Sequence, residues 1–345
     1  MRLAWLVAGD IEQLTGGYLY DRLVVEGLRD GGCEVRVFEP LEFDDGAAPG
    51  AFDAVVGDAL FVREIGPIFE RVARGTARLL LVHHFGSWEC ERLDREEIGA
   101  FEARAMAASD RLVVTGHATA ARVAALATGH GIDVVVPGAD RLACHPRRCR
   151  NGDVIDLISV GSSIPRKRIP VILDAIERIG HRPVRLTVFG DHERDSEHAR
   201  QIAQRVGGSE VLRARVVLAG PVDDDALARA MADADALVIA SSLEGYGIAL
   251  GEALHAGLGV LASRPTAIAS GIGGEAVFVF DDALELAEAI RRYLDEPGLS
   301  EAASAAARRT TLPRWADTVA SFREAINRAV SAARARAPDR ARAPR

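Results

Sequence analysis

No apolar run in this chain approaches the roughly 18 residues that would cross a membrane, so no spanning helix is expected. Excess positive charge is also missing. The formal net charge is −8, which argues against nucleic acid as the main partner, because a surface that tracks phosphates is normally basic. Cysteine is scarce, with four in 345 residues, and that usage suits a reducing compartment better than a disulfide framework. Cys33 and Cys90 stand alone, while Cys144 and Cys149 flank His145 in CHPRRC. That segment has no second ligand pair at zinc spacing, so it reads as loop thiols beside a loop histidine. The opening MRLAWLVAGD carries one basic residue and no cleavage pattern after it. It reads as a first buried strand and not a signal peptide, and a cytoplasmic location is expected.

What is present is a globular composition, 48% hydrophobic and 27% charged, in a chain too long for one ordinary core, so two domains are expected. Twelve short apolar runs fall into two sets of six. The first set is 3–9, 34–39, 53–58, 78–84, 111–116 and 133–138; the second is 154–161, 185–191, 215–220, 236–241, 259–263 and 276–280. Continuous Val, Ile and Leu, without apolar–polar alternation, fits strands buried on both faces, as in parallel sheets covered by helices. Two doubly wound α/β domains follow. The polar stretch DRLACHPRRCRNGD, 140–153, marks the boundary, giving domains of 1–147 and 148–311. The tail, 334–345, is rich in Arg, Ala and Pro and is expected to be disordered. Its arginines allow weak peripheral contact with an anionic membrane, although a solvated tail is the plainer reading.

The densest chemistry lies in SSLEGYGIALGEALHAG, 241–257. Glu244 and Glu252 stand with seven residues between them, around a Gly-Tyr-Gly turn that opens a helix and follows the strand ALVIA. Such a loop suits a phosphate: the backbone N–H groups of Tyr246, Gly247 and Ile248 would lie at the positive end of the helix dipole, where a diphosphate can be held without a metal. Glu252 shares a helix face with Ile248 and can reach a hydroxyl of the molecule carrying the phosphates.

In open α/β sheets ligands gather beyond the carboxyl ends of the strands, and three more candidates sit there. Gly16 and Gly17 precede a helix with apolar positions at Leu19, Leu23 and Leu28, at an N-terminus open to an anion or a close substrate. His83 and His84 end the fourth strand, and because neighbours on a strand point to opposite faces, one of the two is expected to face the ligand. Arg166, Lys167 and Arg168 stand before a helix. Cations there oppose the dipole, so they call for an anionic ligand.

The segments TGGYLYDRLVVEGLRDGG, VGSSIPRKRIPVILDAI and VVLAGPVDDDALARAMADADALVIASSLEGYGIALGEALHAG together resemble glycosyltransferase family 4, retaining enzymes of the GT-B fold that use nucleotide-activated sugars. The E-x7-E motif with GYG inside it is the most specific element, and TGGYxYD with VHH resembles one bacterial branch. The resemblance implies two Rossmann-like domains with an interdomain cleft, acceptor binding in the first and donor binding in the second, and a last helix, about 312–333, packing back on the first. It implies that Glu244 binds hydroxyls of the transferred sugar and Glu252 those of the ribose. The amides of Tyr246, Gly247 and Ile248 would hold the sugar and distal phosphate. Lys167 would neutralise the leaving diphosphate, His83 (with His84 as second choice) would line the sugar pocket, and Gly16 and Gly17 would let the N-terminal loop close. Val222 would offer a backbone contact near the base.

Retention in this family is thought to proceed by front-side attack, so neither a protein nucleophile nor a divalent metal nor another cofactor is expected, and the two glutamates are not a glycosidase pair. Three positions depart from the family pattern: Ser162 stands where arginine is usual, leaving Arg166 or Arg168 to replace it, Gly259 where proline is common, and Ser270 where a glutamate is frequent. The rival readings are another GT-B enzyme, such as a nucleotide-sugar epimerase or phosphorylase, and a catalytically silent sugar-binding or partner subunit, which Ser162 favours. These motifs leave open the nucleotide base, the acceptor (small molecule, glycan or lipid-linked) and the oligomeric state.

Overall fold

The structure, a computed structural model, describes residues 1–13, 15–44, 50–89, 92–147, 153–296 and 298–336. The expectations for Cys90, Cys149 and the tail from 337 onward lie outside the described residues. The chain forms two compact units: the first holds Met1–Gln13, Gly17–Pro137 and the chain from Trp315, and the second holds Gly138–Arg314 with Thr15 and Gly16.

Each unit is built on one six-stranded parallel sheet. The first contains β1 (Arg2–Leu6), β2 (Glu34–Phe38), β3 (Ala54–Asp58), β4 (Ala77–Val82), β5 (Arg111–Val114) and β6 (Gly131–Val134), in the order β2-β1-β3-β4-β5-β6. The second contains β7 (Ile155–Val160), β8 (Val184–Phe189), β9 (Val216–Gly220), β10 (Ala236–Ile239), β11 (Gly259–Ser263) and β12 (Val277–Phe280), in the order β12-β11-β10-β7-β8-β9. All twelve apolar runs are strands, most of them a residue or two shorter than their apolar stretch. The second sheet has the 3-2-1-4-5-6 order of a dinucleotide-binding fold, reversing direction between β7 and β10; the first reverses between β1 and β3.

The unbroken apolar character of the strands has a direct physical cause. In β10, Leu237 and Ile239 enter a core with Leu250, Leu254 and Val260, while Val238 enters one with Ile172, Ile176, Leu186 and Leu261. Successive side chains therefore meet helices on opposite faces, and no position is left for a polar residue.

Two local expectations are revised. In the helix Gly16–Asp30 the buried residues are Tyr18, Tyr20, Asp21, Val24, Val25 and Leu28, so Leu19 and Leu23 are not the core face. Tyr20 takes the deep position because its ring packs on Phe322 and its hydroxyl donates to the Val135 carbonyl at 2.9 Å. The boundary between units falls at Pro137/Gly138, ahead of the polar stretch. The residues after it are polar in sequence yet fixed to the second unit: Leu142 joins its core, and Arg147 donates to the carbonyls of Met231 and Ala234 at 2.9 and 2.6 Å.

The helix Trp315–Arg336 belongs to the first unit. Phe322 stacks at 5.2 Å on Trp5 of β1, and the Thr318 hydroxyl donates to the Val136 carbonyl at 2.8 Å. Among the described residues no helix is long and apolar enough to cross a membrane.

Candidate functional site

In the second unit the loops after β7 and β10 leave the sheet on either side of its reversal point, and both carry charge. After β7 the chain makes a short helical turn, Pro165–Lys167, and enters the helix Ile169–Ile179 through Arg168, which has φ 50° and ψ 38°. Among the described residues Arg168 is the one non-glycine with positive φ, a conformation that costs an L-residue about 1 kcal/mol or more. After β10 the chain runs through Ser241 and Glu244 to Gly247, whose φ of 94° suits glycine, and then into the helix Ile248–His255 with no capping side chain. Uncapped N–H groups and the dipole's positive end are what an anion needs.

The two loops are tied together. Lys167 Nζ donates to Glu244 Oε1 at 2.6 Å, the Ser241 hydroxyl donates to the same oxygen at 2.6 Å, and Arg166 lies 3.8 Å from Glu244 Oε2 while donating to the Leu243 carbonyl. Burial alone would raise the Glu244 pKa, but the charges of Lys167 and Arg166 and the hydrogen bonds from Lys167 and Ser241 outweigh it and hold the carboxyl at about 2. Lys167 is the only lysine in the chain. Every other basic side chain apart from histidine is arginine, so Lys167 is the chain's one compact side-chain ammonium.

Glu252 lies inside the helix Ile248–His255 and is 2% exposed. Its partner was not foreseen: Arg141 Nε donates to Glu252 Oε1 at 2.7 Å, and the same guanidinium bonds Asp224. Burial pushes the Glu252 pKa up, and Arg141 only partly offsets the rise. Tyr246 is buried, and Val222, in the loop after β9, packs at the edge of the core.

The departures from the family pattern have local explanations. Ser162 is buried in the loop after β7, with Arg166 rather than Arg168 placed beside Glu244. A Cβ on Gly259 would meet Ala303 Cβ at 2.8 Å and Tyr293 Oη at 2.9 Å, so the neighbouring helices occupy the room a side chain would take. The Ser270 hydroxyl donates to the Ala267 carbonyl and accepts from Ile272 N–H, closing its own helix.

In the first unit His83 follows β4 and is 7% exposed. Its Nε2 lies 3.1 Å from Asp21 Oδ1, and the Tyr20 ring stands edge-on to it at 5.2 Å. Asp58, at the end of β3, is buried beside them and accepts from Leu60 N–H at 2.9 Å. Burial works to lower the His83 pKa, but the bond to Asp21 and the charges of Asp58 and Asp21 raise it above its usual value. Burial and the charge of Asp21 in turn push Asp58 well above the ordinary carboxylate range. Asp21, Asp58 and His83 offer donor atoms within 4.8 Å of one another, a spacing a metal ion could use. The Nε2–Oδ1 distance, however, is that of a direct hydrogen bond, which occupies Nε2. His84 is paired instead with Glu89, its Nε2 2.5 Å from Oε1. Gly16 opens the first helix and groups with the second unit, and Gly17 follows it in the first.

The second unit thus collects Ser162, Arg166, Lys167, Glu244, Tyr246, Gly247, Ile248 and Glu252 around one sheet reversal, and the first places His83 with two carboxylates. Arg141, Ser241, Asp21 and Asp58 were missed. The last two carried a signal, since Asp21 is the aspartate of TGGYxYD and Asp58 ends a strand at its carboxyl end.

Residues 155–296 match the family model for Glycosyl transferases group 1. No curated protein matches the chain. Among solved structures, sucrose-phosphate synthase (tll1590) from Thermosynechococcus elongatus is similar at 18% identity, covering 96% of this chain and 99% of that one with a TM-score of 0.79. Anabaena Alr3699/HepE in complex with UDP and glucose is similar at 15% identity, covering 95% and 100%, with a TM-score of 0.73. A glycosyltransferase from Rickettsia africae ESF-5 matches at 13% identity, 95% and 98% coverage, and a TM-score of 0.71. These likenesses fit the two-domain Rossmann-like fold of GT-B glycosyltransferases. The chain is a transferase enzyme whose second unit, over residues 155–296, carries a group 1 glycosyltransferase domain.

Proposed function

We propose that this protein is a retaining glycosyltransferase of family 4 that moves a sugar from a nucleotide-diphosphate sugar to an acceptor hydroxyl without a divalent metal. The observation that carries the reading is the Lys167–Glu244 contact of 2.6 Å beside the uncapped helix Ile248–His255. Breaking an anomeric C–O bond builds negative charge on the departing diphosphate, and catalysis follows from dipoles and cations already placed where that charge grows. Lys167 has three N–H donors, so it can keep Glu244 and still bond a phosphate oxygen, while the amides of Tyr246, Gly247 and Ile248 take others. Glu244, held ionised, accepts from sugar hydroxyls. Glu252 accepts from the ribose, with Arg141 fixing its carboxylate. Val222 lies near the base, and Gly16 and Gly17 line the phosphate end. The first unit takes the acceptor, with His83 as its polar group toward the transferred sugar.

HepE is described in complex with UDP and with UDP-glucose, which makes uridine nucleotides the first probes. Calorimetry against a panel of nucleoside diphosphates and nucleotide sugars in EDTA, with wild type and Glu252→Ala, tests the reading. Binding of one nucleotide that survives EDTA and is lost in the variant supports it. No binding at millimolar concentration favours the silent-subunit reading, to which the buried Ser162 in place of arginine also points.

A further inference from the structure

The buried carboxylate of Asp21 has no evident structural reason to exist. It lies in the second turn of the helix Gly16–Asp30, on a face otherwise made of Tyr18, Val24, Val25 and Leu28, and is fully buried. An ionised group there loses its hydration and regains it only through good partners. Asp21 Oδ1 meets His83 Nε2 at 3.1 Å, and Oδ2 is buried with no hydrogen-bond partner among the described residues. An apolar residue would pack at that position at lower cost. The one thing the carboxylate does that a leucine could not is hold the histidine.

The rest of the surroundings restrain the same ring. The Tyr20 ring meets it edge-on at 5.2 Å. A Cβ on Gly17 would make ordinary contact with the ring, 3.4 Å from His83 Cδ2 and 3.7 Å from its Nε2, so the first turn of this helix lies against the imidazole. Asp58, from the end of β3, is the other titratable group facing this cluster. The imidazole is thus gripped at Nε2, which leaves Nδ1 as the ring atom for a substrate.

We propose that Asp21 is the positioning residue of His83: it accepts the Nε2 proton, fixes the ring plane, and reserves Nδ1 for the transferred sugar or its acceptor. The proposal rests on the transferase reading above for the identity of the substrate, but the hold of Asp21 on the ring does not. Asn at position 21 keeps the shape but presents an N–H₂ group as well as an oxygen, so it no longer selects one protonation state of the imidazole.

The test uses the full chain labelled with [15N]histidine, nine rings in all, with His83→Gln to assign the signal. Ring nitrogens are read at pH 7 in wild type and Asp21→Asn, beside calorimetric UDP binding and the rate at which UDP-glucose is broken down to UDP. The expected result is a proton on His83 Nε2 in wild type, lost or exchanging in Asp21→Asn, with UDP affinity within about twofold and turnover down at least about tenfold. A wild-type ring with Nε2 unprotonated overturns the proposal, and so does a variant whose ring and turnover match wild type. If Asp21→Asn does not fold, the wild-type ring alone decides. If wild type binds no UDP and breaks down no UDP-glucose, yet shows the Nε2 proton and its loss in the variant, uridine as the donor base fails while the Asp21–His83 coupling stands.

Discussion

Removing Arg141 exposes how the second unit tolerates a carboxylate in its core. In Arg141→Ala, Glu252, which is 2% exposed in the wild-type chain, loses its only cationic hydrogen-bond partner among the described residues, while Asp224 loses one that its exposed position makes nearly worthless. Breaking a buried pair from one side costs about 3–5 kcal/mol, but here the loss is capped because Glu252 can take up a proton. Its ordinary value is 4.5, so neutralising it at pH 7 spans about 2.5 units at about 1.4 kcal/mol each, or about 3.5 kcal/mol. At pH 5.5 the same step costs about 1.4 kcal/mol. The sign follows from proton counts: without Arg141 the native state holds the Glu252 proton to higher pH than wild type does, so the variant's stability relative to wild type falls as pH rises.

Urea unfolding at pH 7 and 5.5 measures this directly. Trp5, Trp88 and Trp315 all lie in the first unit, so tryptophan fluorescence follows that unit and far-UV circular dichroism follows both. The destabilised transition is the one visible in dichroism alone. A loss below about 1 kcal/mol at pH 7, or one equal at both pH values, refutes the coupling of Arg141 to Glu252. Adding Glu252→Gln to the variant should remove the pH slope.

Lys167→Met should weaken UDP binding in EDTA at least about tenfold by calorimetry, because a desolvated charge-assisted contact to phosphate is lost; an unchanged affinity counts against the donor site. Glu244 has its pKa lowered to about 2 from 4.5, so its contribution to stability is present above pH 4.5 and disappears as pH falls toward 2. Wild type should therefore lose stability more steeply than Glu244→Gln across that window in an acid titration followed by dichroism. Gly259→Ala should destabilise the second unit by about 1–3 kcal/mol in urea, since the added methyl meets Ala303 and Tyr293 below 3 Å. Arg168→Gly should leave the second unit as stable or up to about 1 kcal/mol more stable, the relieved left-handed backbone outweighing the extra freedom of glycine in the unfolded chain; a clear loss in the same titration contradicts this.

The readable parts of the sequence were those whose physics is local. ALVIA followed by SSLEGYG and an apolar helix places a glycine turn, an open helix end and two glutamates within seventeen residues, so Glu244 and Glu252 stand out as candidates from spacing. Doubly buried strands announce themselves through unbroken Val, Ile and Leu for the same reason. Arg141 was invisible because its bond to Glu252 spans 111 positions, and only folding brings a residue from an apparently featureless polar stretch under that helix. Asp21 was hidden differently. It sits in a helix whose apolar spacing pointed to Leu19 and Leu23, whereas the true core face puts a tyrosine and a carboxylate inward, toward a histidine 62 positions away. Long-range pairs of buried charge leave no periodic mark on a sequence.

A chain with one lysine contains one ε-amine. Reagents that acylate or reductively methylate primary amines can modify only the amino terminus and Lys167, which is 22% exposed at its side chain and bonded to Glu244. A single isotopic methyl group or fluorophore on that nitrogen would watch the carboxylate contact and nothing else in the second unit. Lysine-directed cross-linking or surface immobilisation of this protein, conversely, would bind through its own candidate donor site, so inactivity after such treatment would say nothing about the enzyme in solution.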